Sequence, residues 1–247
     1  MTLDPTRSLS IPRTLLWLKD CVLDMPINEG SGSILHDRSI FQAHGAIVGA
    51  SWSPDGKSLD FDPLIPSYVE IPAAYTHLNF TTQAFSIITR FKVDDISTER
   101  VLCSRGVYNT DGWWFRIEVT GHLRVWTFQS GANQATSSAA GSIAINTWYT
   151  GGFSRNGAGV KIYINGASDG VGTGHVNPTT ADRTFNIGLG AGAYPRPYDG
   201  KIEFLQVFNR ALPAEEHERA HRALLAGEGV LHLGGRLASQ RTLAPVR

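Results

Sequence analysis

Short runs in which apolar and polar positions alternate recur along this chain. Phe115, Ile117 and Val119 alternate with Arg116 and Glu118, and Phe85, Ile87 and Phe91 alternate with Ser86 and Arg90. Successive side chains on a strand point to opposite faces, so a period of two buries one face and leaves the other wet or lightly covered. Between the runs stand Asp55-Gly56, Asp111-Gly112, Thr120-Gly121, Asn156-Gly157, Asn165-Gly166, Asp169-Gly170 and Asp199-Gly200, which supply the positive φ values of tight hairpins. The rhythm predicts antiparallel β structure. Val160-Lys161-Ile162-Tyr163-Ile164 followed by Asn165-Gly166 is the strongest local hairpin signal. One helix is predicted near Pro213, whose fixed φ suits the first helical position. Glu215 and Glu216 meet the positive end of its dipole and Gly227 stops it, so it reads as a cap on the sheets.

A chain of 247 residues with 42% hydrophobic residues buries a sizeable core, and all-β sandwiches of this length commonly form one domain. The 22 lysines and arginines balance 22 acids, so no overall field recruits nucleic acid or an anionic membrane. The only early apolar run, Leu15-Leu16-Trp17-Leu18, is too short for a signal sequence or a membrane span; a soluble chain with no membrane insertion and no export by the usual route is expected. Cys21 and Cys103 are too few for a disulfide framework and read as small core residues, with their pairing left open.

Several stretches together resemble a known family. They are Asn28-Glu29-Gly30-Ser31-Gly32 with Asp37, His44-Gly45, Ala50-Ser51-Trp52, Leu59-Asp60-Phe61-Asp62 and Tyr68-Val69-Glu70-Ile71-Pro72. Phe85-Ser86-Ile87, Gly112-Trp113-Trp114, Asn146-Thr147-Trp148-Tyr149, Ile162 to Gly166 and Phe208-Asn209-Arg210-Ala211-Leu212 follow in the same order. This succession resembles a LamG-like jelly roll of the concanavalin A-like superfamily. The resemblance implies two antiparallel sheets packed face to face, with binding at a loop rim or on a concave face. It divides the chain into an N-terminal extension (1–20), a LamG-like sandwich (21–226) and a C-terminal tail (227–247).

Glucanases of this architecture place two carboxylates at alternate strand positions, about 5 Å apart for retaining chemistry. Glu203 has Lys201 and Leu205 at those positions, Glu118 is solitary, and Asp94 and Asp95 are adjacent, so no catalytic pair is expected. His217-Glu218-Arg219-Ala220-His221 matches the H-E-x-x-H zinc motif letter for letter. The extended pattern wants its third ligand at Gly227, and His232 and Glu228 fall at unsuitable spacings, so a structural helix face is expected instead. Many members of the resembling family hold calcium near the rim; here Pro63-Leu64-Ile65-Pro66 stands where relatives carry acids. Asp60, Asp62 and Asp199 are therefore read as turn and edge residues, and neither metal nor any other cofactor is expected.

Aromatic groups carry the remaining binding chemistry. Trp113 and Trp114 are adjacent, so one ring faces the core and the other the sheet surface, where a sugar could stack. Tyr108, Trp113, Tyr194 and Tyr198 are the candidate ligand-binding residues. Two functions fit: an exterior, non-enzymatic subunit decorating a large assembly such as a phage particle, with weak glycan binding, or a stand-alone carbohydrate-binding adhesion domain. The first places the protein on a virion exterior, as a homo-oligomer whose partners are other subunits and surface glycans. Its anchor is expected in the two termini, residues 1–20 and the tail, where Arg236, Arg241 and Arg247 are interspersed with Leu231, Leu233, Leu237, Leu243 and Val246.

Overall fold

The structure, a computed structural model, describes residues 19–179, 182–193 and 195–225. The bulk of the N-terminal extension, the stop at Gly227 and the tail lie outside them. The described residues form strands β1 (Cys21–Pro26), β2 (Ile34–Leu35), β3 (Gly45–Val48), β4 (Ser51–Trp52), β5 (Leu59–Phe61), β6 (Tyr68–Ile71), β7 (Phe85–Val93) and β8 (Arg100–Arg105). They continue with β9 (Asp111–Ile117), β10 (Leu123–Gln129), β11 (Ala132–Ser137), β12 (Trp148–Asn156), β13 (Gly159–Ile164), β14 (Ala167–Gly172), β15 (Phe185–Ile187) and β16 (Gly200–Phe208). Helix α1 (Ala214–Leu225) follows, one residue past the proline predicted to open it.

Two eight-stranded antiparallel sheets result. The first runs β14-β13-β12-β7-β16-β5-β4, with β1 also on β16; the second runs β11-β10-β9-β8-β15-β6-β3-β2. Strands distant in sequence lie side by side, β7 between β12 and β16 and β15 between β6 and β8, as the expected jelly-roll sandwich requires. The predicted alternation is what joins the layers. Phe85 and Phe153 of the first sheet meet Trp113 and Phe115 of the second, with ring centroids 5.3 Å apart for Phe85 and Trp113 and 5.1 Å for Phe115 and Phe153. All four are fully buried, each stabilising the fold by roughly 1.5–3 kcal/mol through area removed from water. The opposite face of the first sheet is covered: Ile88, Phe204 and Phe208 pack with Leu212 and with Ala220 of α1.

Asn165-Gly166 forms the hairpin turn joining β13 and β14, as predicted. Three of the other predicted hairpin turns have different roles. Asp111-Gly112 opens β9, and Asp199-Gly200 leads into β16 at φ +132°. Asp169-Gly170 sits inside β14, where the pairing with β13 slips by a residue between Ile162 and Tyr163. The reason is a close approach between sheets: a Cβ on Gly170 would lie 2.3 Å from the carbonyl oxygen of Ser137 at the end of β11, so glycine lets the two edge strands close the sandwich. Cys21 and Cys103 are both free thiols, the latter buried in the core.

Gly170→Val is expected to prise β14 from β11 and to destabilise the protein by about 1–3 kcal/mol, read as a lowered midpoint in urea unfolding.

Candidate functional site

The outward residues of β9 and β10 form one stripe. Trp113, Phe115 and Ile117 of β9 and Leu123 and Val125 of β10 point into the core, so Trp114 and Arg116 and, on β10, Arg124, Trp126 and Phe128 point away from it. Register sets Trp114 opposite Trp126 and Arg116 opposite Arg124. Two loops fold over this face from opposite ends and meet in a short parallel bridge between Val107 and Ala191. Gly190 lies so close to Trp114 that a Cβ would sit 2.7 Å from the indole, and Trp114 Nε1 donates to the carbonyl of Gly106 at 3.0 Å. Trp114 is thereby fully buried under the loops.

Tyr108 is the hub of what remains accessible. Its ring lies 5.5 Å from Trp114, 6.1 Å from Trp126 and 5.0 Å from Phe128, and Trp126 stacks on Phe128 at 5.6 Å and 13°. The Arg116 and Arg124 guanidiniums lie 5.4 and 5.6 Å from the Trp126 ring, within cation–π range. Glu118 accepts from Arg116 Nε at 2.7 Å and lies 3.2 Å from Arg124 Nη1; Glu99 lies 2.9 Å from Arg196 Nε. A hollow of about 280 Å³ opens between Glu99, Tyr108, Trp114, Arg116 and Arg196. Half-buried aromatic surface bordered by oriented guanidinium and carboxylate groups suits a ligand with a flat apolar face and a rim of hydroxyls.

Of the residues singled out in the sequence, Tyr108 belongs to this face. Trp113 does not: its ring fills the core, packed by Phe85, Phe153 and Phe185, and has no surface open to a sugar. Tyr198 is also fully buried, edge-on to Phe61 at 5.8 Å, and burial pushes its phenol well above the ordinary value. Tyr194, Arg236, Arg241 and Arg247 lie outside the described residues. Sequence reasoning missed Trp126 and Arg116. The alternation Arg124-Val125-Trp126-Thr127-Phe128 carries the signal of an aromatic outer face, but only the register with β9 brings it to Trp114 and Arg116.

The groups that suggested catalysis are held elsewhere. Glu203 pairs with Arg90, whose guanidinium lies 5.4 Å from the Trp148 ring. His217 Nε2 lies 2.9 Å from Ser154 Oγ, the ring stacks on Tyr163 at 3.8 Å, and its Nδ1 sits where a Cβ on Gly152 would intrude. His221 Nδ1 lies 3.0 Å from Thr150 Oγ1. Both rings of the zinc-like motif thus dock α1 on β12. Among the described residues no group of three or more histidine, cysteine or acidic side chains is arranged to hold a metal. Asp60, Asp62 and Asp199 do line one hollow of about 490 Å³. Each has its own partner: Lys201 for Asp60, the amide of Leu64 for Asp62 at 2.8 Å, and Arg100 for Asp199 at 3.5 Å.

Burial pushes His217 down to about 3 and His175, held between Thr127 and Thr136, down to about 4. The unfolded chain protonates both near pH 6.5. From there down to those lowered values the unfolded state binds more protons, so stability falls as the pH falls. The melting temperature is expected to drop from pH 7 to pH 4, with each histidine costing about 1.4 kcal/mol per pH unit in its window. His217→Gln is expected to flatten that drop; a wild-type melting temperature that stays level over the range contradicts the assignment.

Comparison with solved structures shows the same fold. The binding domain of Paraclostridial Mosquitocidal Protein 1 is 15% identical with a TM-score of 0.68, over 84% of this chain and 53% of that one. The botulinum neurotoxin serotype D binding domain is 14% identical with a TM-score of 0.64, over 83% of this chain and 52% of that one. A botulinum neurotoxin type C structure, described as showing that cell entry depends on interaction with two ganglioside molecules, is 14% identical with a TM-score of 0.64, over 85% and 52%. The chain spans about half the length of these structures. A search of curated proteins found no match. No helix among the described residues is long and apolar enough to cross a membrane. Residues 66–216, more than half of the chain and including β9, β10 and both loops over them, match the sequence pattern of one family, and the chain belongs to the concanavalin A-like lectin/glucanases superfamily.

Proposed function

We propose that this protein is a non-enzymatic adhesion module that binds a glycan on the outer face of its second sheet. The observation that carries the reading is the Tyr108–Trp126–Arg116 cluster beside the hollow at Glu99 and Arg196, an aromatic surface with charged hydrogen-bonding groups at its edge. Membership of a lectin-bearing superfamily supports it, as does the likeness to toxin binding domains, one described as acting through gangliosides. A catalytic role is disfavoured by the pairing of Glu203 with Arg90 and the burial of His217. Calcium is not needed, because lysine, arginine and a backbone amide already meet the rim aspartates.

On a glycan array followed by titration calorimetry, Tyr108→Ala and Trp126→Ala are expected to weaken binding about tenfold or more, since an aromatic contact contributes on the order of 1 kcal/mol beyond its buried area. Binding is expected to be unchanged by EDTA and by Glu203→Gln or Glu218→Gln. Retained affinity in both aromatic variants places the site elsewhere.

A finer reading, in which this module decorates the exterior of a larger assembly such as a virus particle, is supported by the leucine- and arginine-bearing segment 228–247. Deletion of that segment is then expected to leave a folded sandwich with full glycan affinity that no longer joins its assembly in a co-sedimentation assay. Normal incorporation of the truncated protein rules that reading out.

A further inference from the structure

Two arginines are fully buried inside the sandwich, and their charges are met differently. Arg155, on β12, donates to the carbonyl oxygens of Thr81 at 2.9 Å, Gln83 at 3.2 Å and Val176 at 3.3 Å, and to Asn177 Oδ1 at 2.7 Å. Arg105, at the end of β8, donates only from Nη2, to the carbonyl of Ala73 at 3.2 Å. Its Nε and Nη1 are buried and have no partner among the described residues. Burial lowers its pKa to about 10, which still leaves the guanidinium charged at neutral pH. A buried charge without a partner is strongly disfavoured, and each orphan donor adds its own desolvation cost.

A second orphan donor stands on the neighbouring strand. Trp113 stands directly opposite Arg105 in the β8–β9 register, so the two side chains share the inward face of the sheet. Trp113 Nε1 is also buried without a partner among the described residues. His77, on the turn Thr76–Leu78 that follows Ala73, has its pKa lowered chiefly by burial and, to a lesser extent, by the charge of Arg105, and its buried Nε2 has no partner either. Asp37, the carboxylate whose charge acts on His77, is already engaged. Its oxygens accept from the amides of Asp24, Ser39 and Ala43, each at 2.8 Å, and from Ser39 Oγ at 2.7 Å.

Guanidinium and indole groups can only donate. A water molecule can accept from two of these donors and place its own hydrogens on the Ala73 carbonyl and the His77 Nε2 lone pair, but it leaves the buried guanidinium charge uncancelled. A monovalent anion accepts from every donor at once and cancels the buried charge. We propose that Arg105 and Trp113 hold a small inorganic anion, of chloride size, between the two sheets beneath the segment that carries Ala73 and His77. This site is separate from the glycan face, because Trp113 and Trp114 point to opposite sides of the same sheet.

Bromide is the probe. In crystals of the full chain grown or soaked in sodium bromide, an anomalous peak is expected within hydrogen-bonding distance of Arg105 Nη1 and Trp113 Nε1. In solution, replacing sodium gluconate by sodium chloride at constant ionic strength is expected to raise the melting temperature by roughly 5 °C or more once chloride exceeds its Kd a hundredfold. Arg105→Met, which keeps the bulk and removes the donors, is expected to lose that response. Water or chain atoms at these donors without an anomalous peak overturn the proposal. So does a melting temperature of the wild-type protein that is the same in both salts. If Arg105→Met does not fold, the bromide map of the wild-type protein decides alone.

Discussion

The structure depends on the interlocking of aromatic rings between its two sheets. Phe85 touches Phe153 edge-on at 5.2 Å within its own sheet and Trp113 at 5.3 Å across the sandwich, and Trp113 passes the contact on to Phe185 at 5.5 Å. Rings of this size fill the roughly 10 Å between packed sheets only when each strand presents the correct parity of residues inward. A slip of one residue in β9 would exchange Trp113 for Trp114 and carry Arg116 into the core. The parity that secures the core therefore also selects which residues reach the surface.

The two outer faces have been put to different uses. On the first sheet the apolar residues Ile88, Phe204 and Phe208 are closed off by α1, and the helix is itself positioned by His217 and His221 against β12. On the second sheet the cover is made of two loops that leave Tyr108 and Trp126 only half-buried, with arginines beside them. An apolar face sealed by a helix has no chemistry left to offer, whereas an aromatic face under short loops keeps both stacking surface and charged edges. The neurotoxin and mosquitocidal binding domains share the sandwich at 14–15% identity, which speaks for the architecture alone.

The histidine motif shows how the same letters take on different chemistry in different surroundings. Two histidines one helical turn apart suit a zinc ion when their rings face a cleft with a third ligand. Here the helix lies on a sheet, and glycine at position 152 leaves a hollow into which the His217 ring fits. Desolvation holds that ring neutral, and the hydroxyl of Ser154 meets its polar edge. The motif therefore stabilises the docking of the cap.

Local pattern determined much of this protein. Alternation of residues around Phe85 and Phe115, the Asn165-Gly166 turn and the proline and acidic residues ahead of α1 are short-range signals, because side-chain parity and backbone φ are properties of a few consecutive residues. They sufficed for antiparallel β structure with one capping helix, while the two-sheet sandwich followed from the family resemblance. That Trp113 and Trp114 face opposite ways was equally legible; which of them faces the core was not, since that depends on where β9 lies relative to β7 and β12. The gathering of Trp126, Arg116 and Tyr108, the spread of the rim aspartates among cationic and amide partners, and the isolation of Arg105 were settled by the tertiary structure alone. Each depends on strand order and register between segments tens of residues apart, and no spacing along the chain encodes that distance.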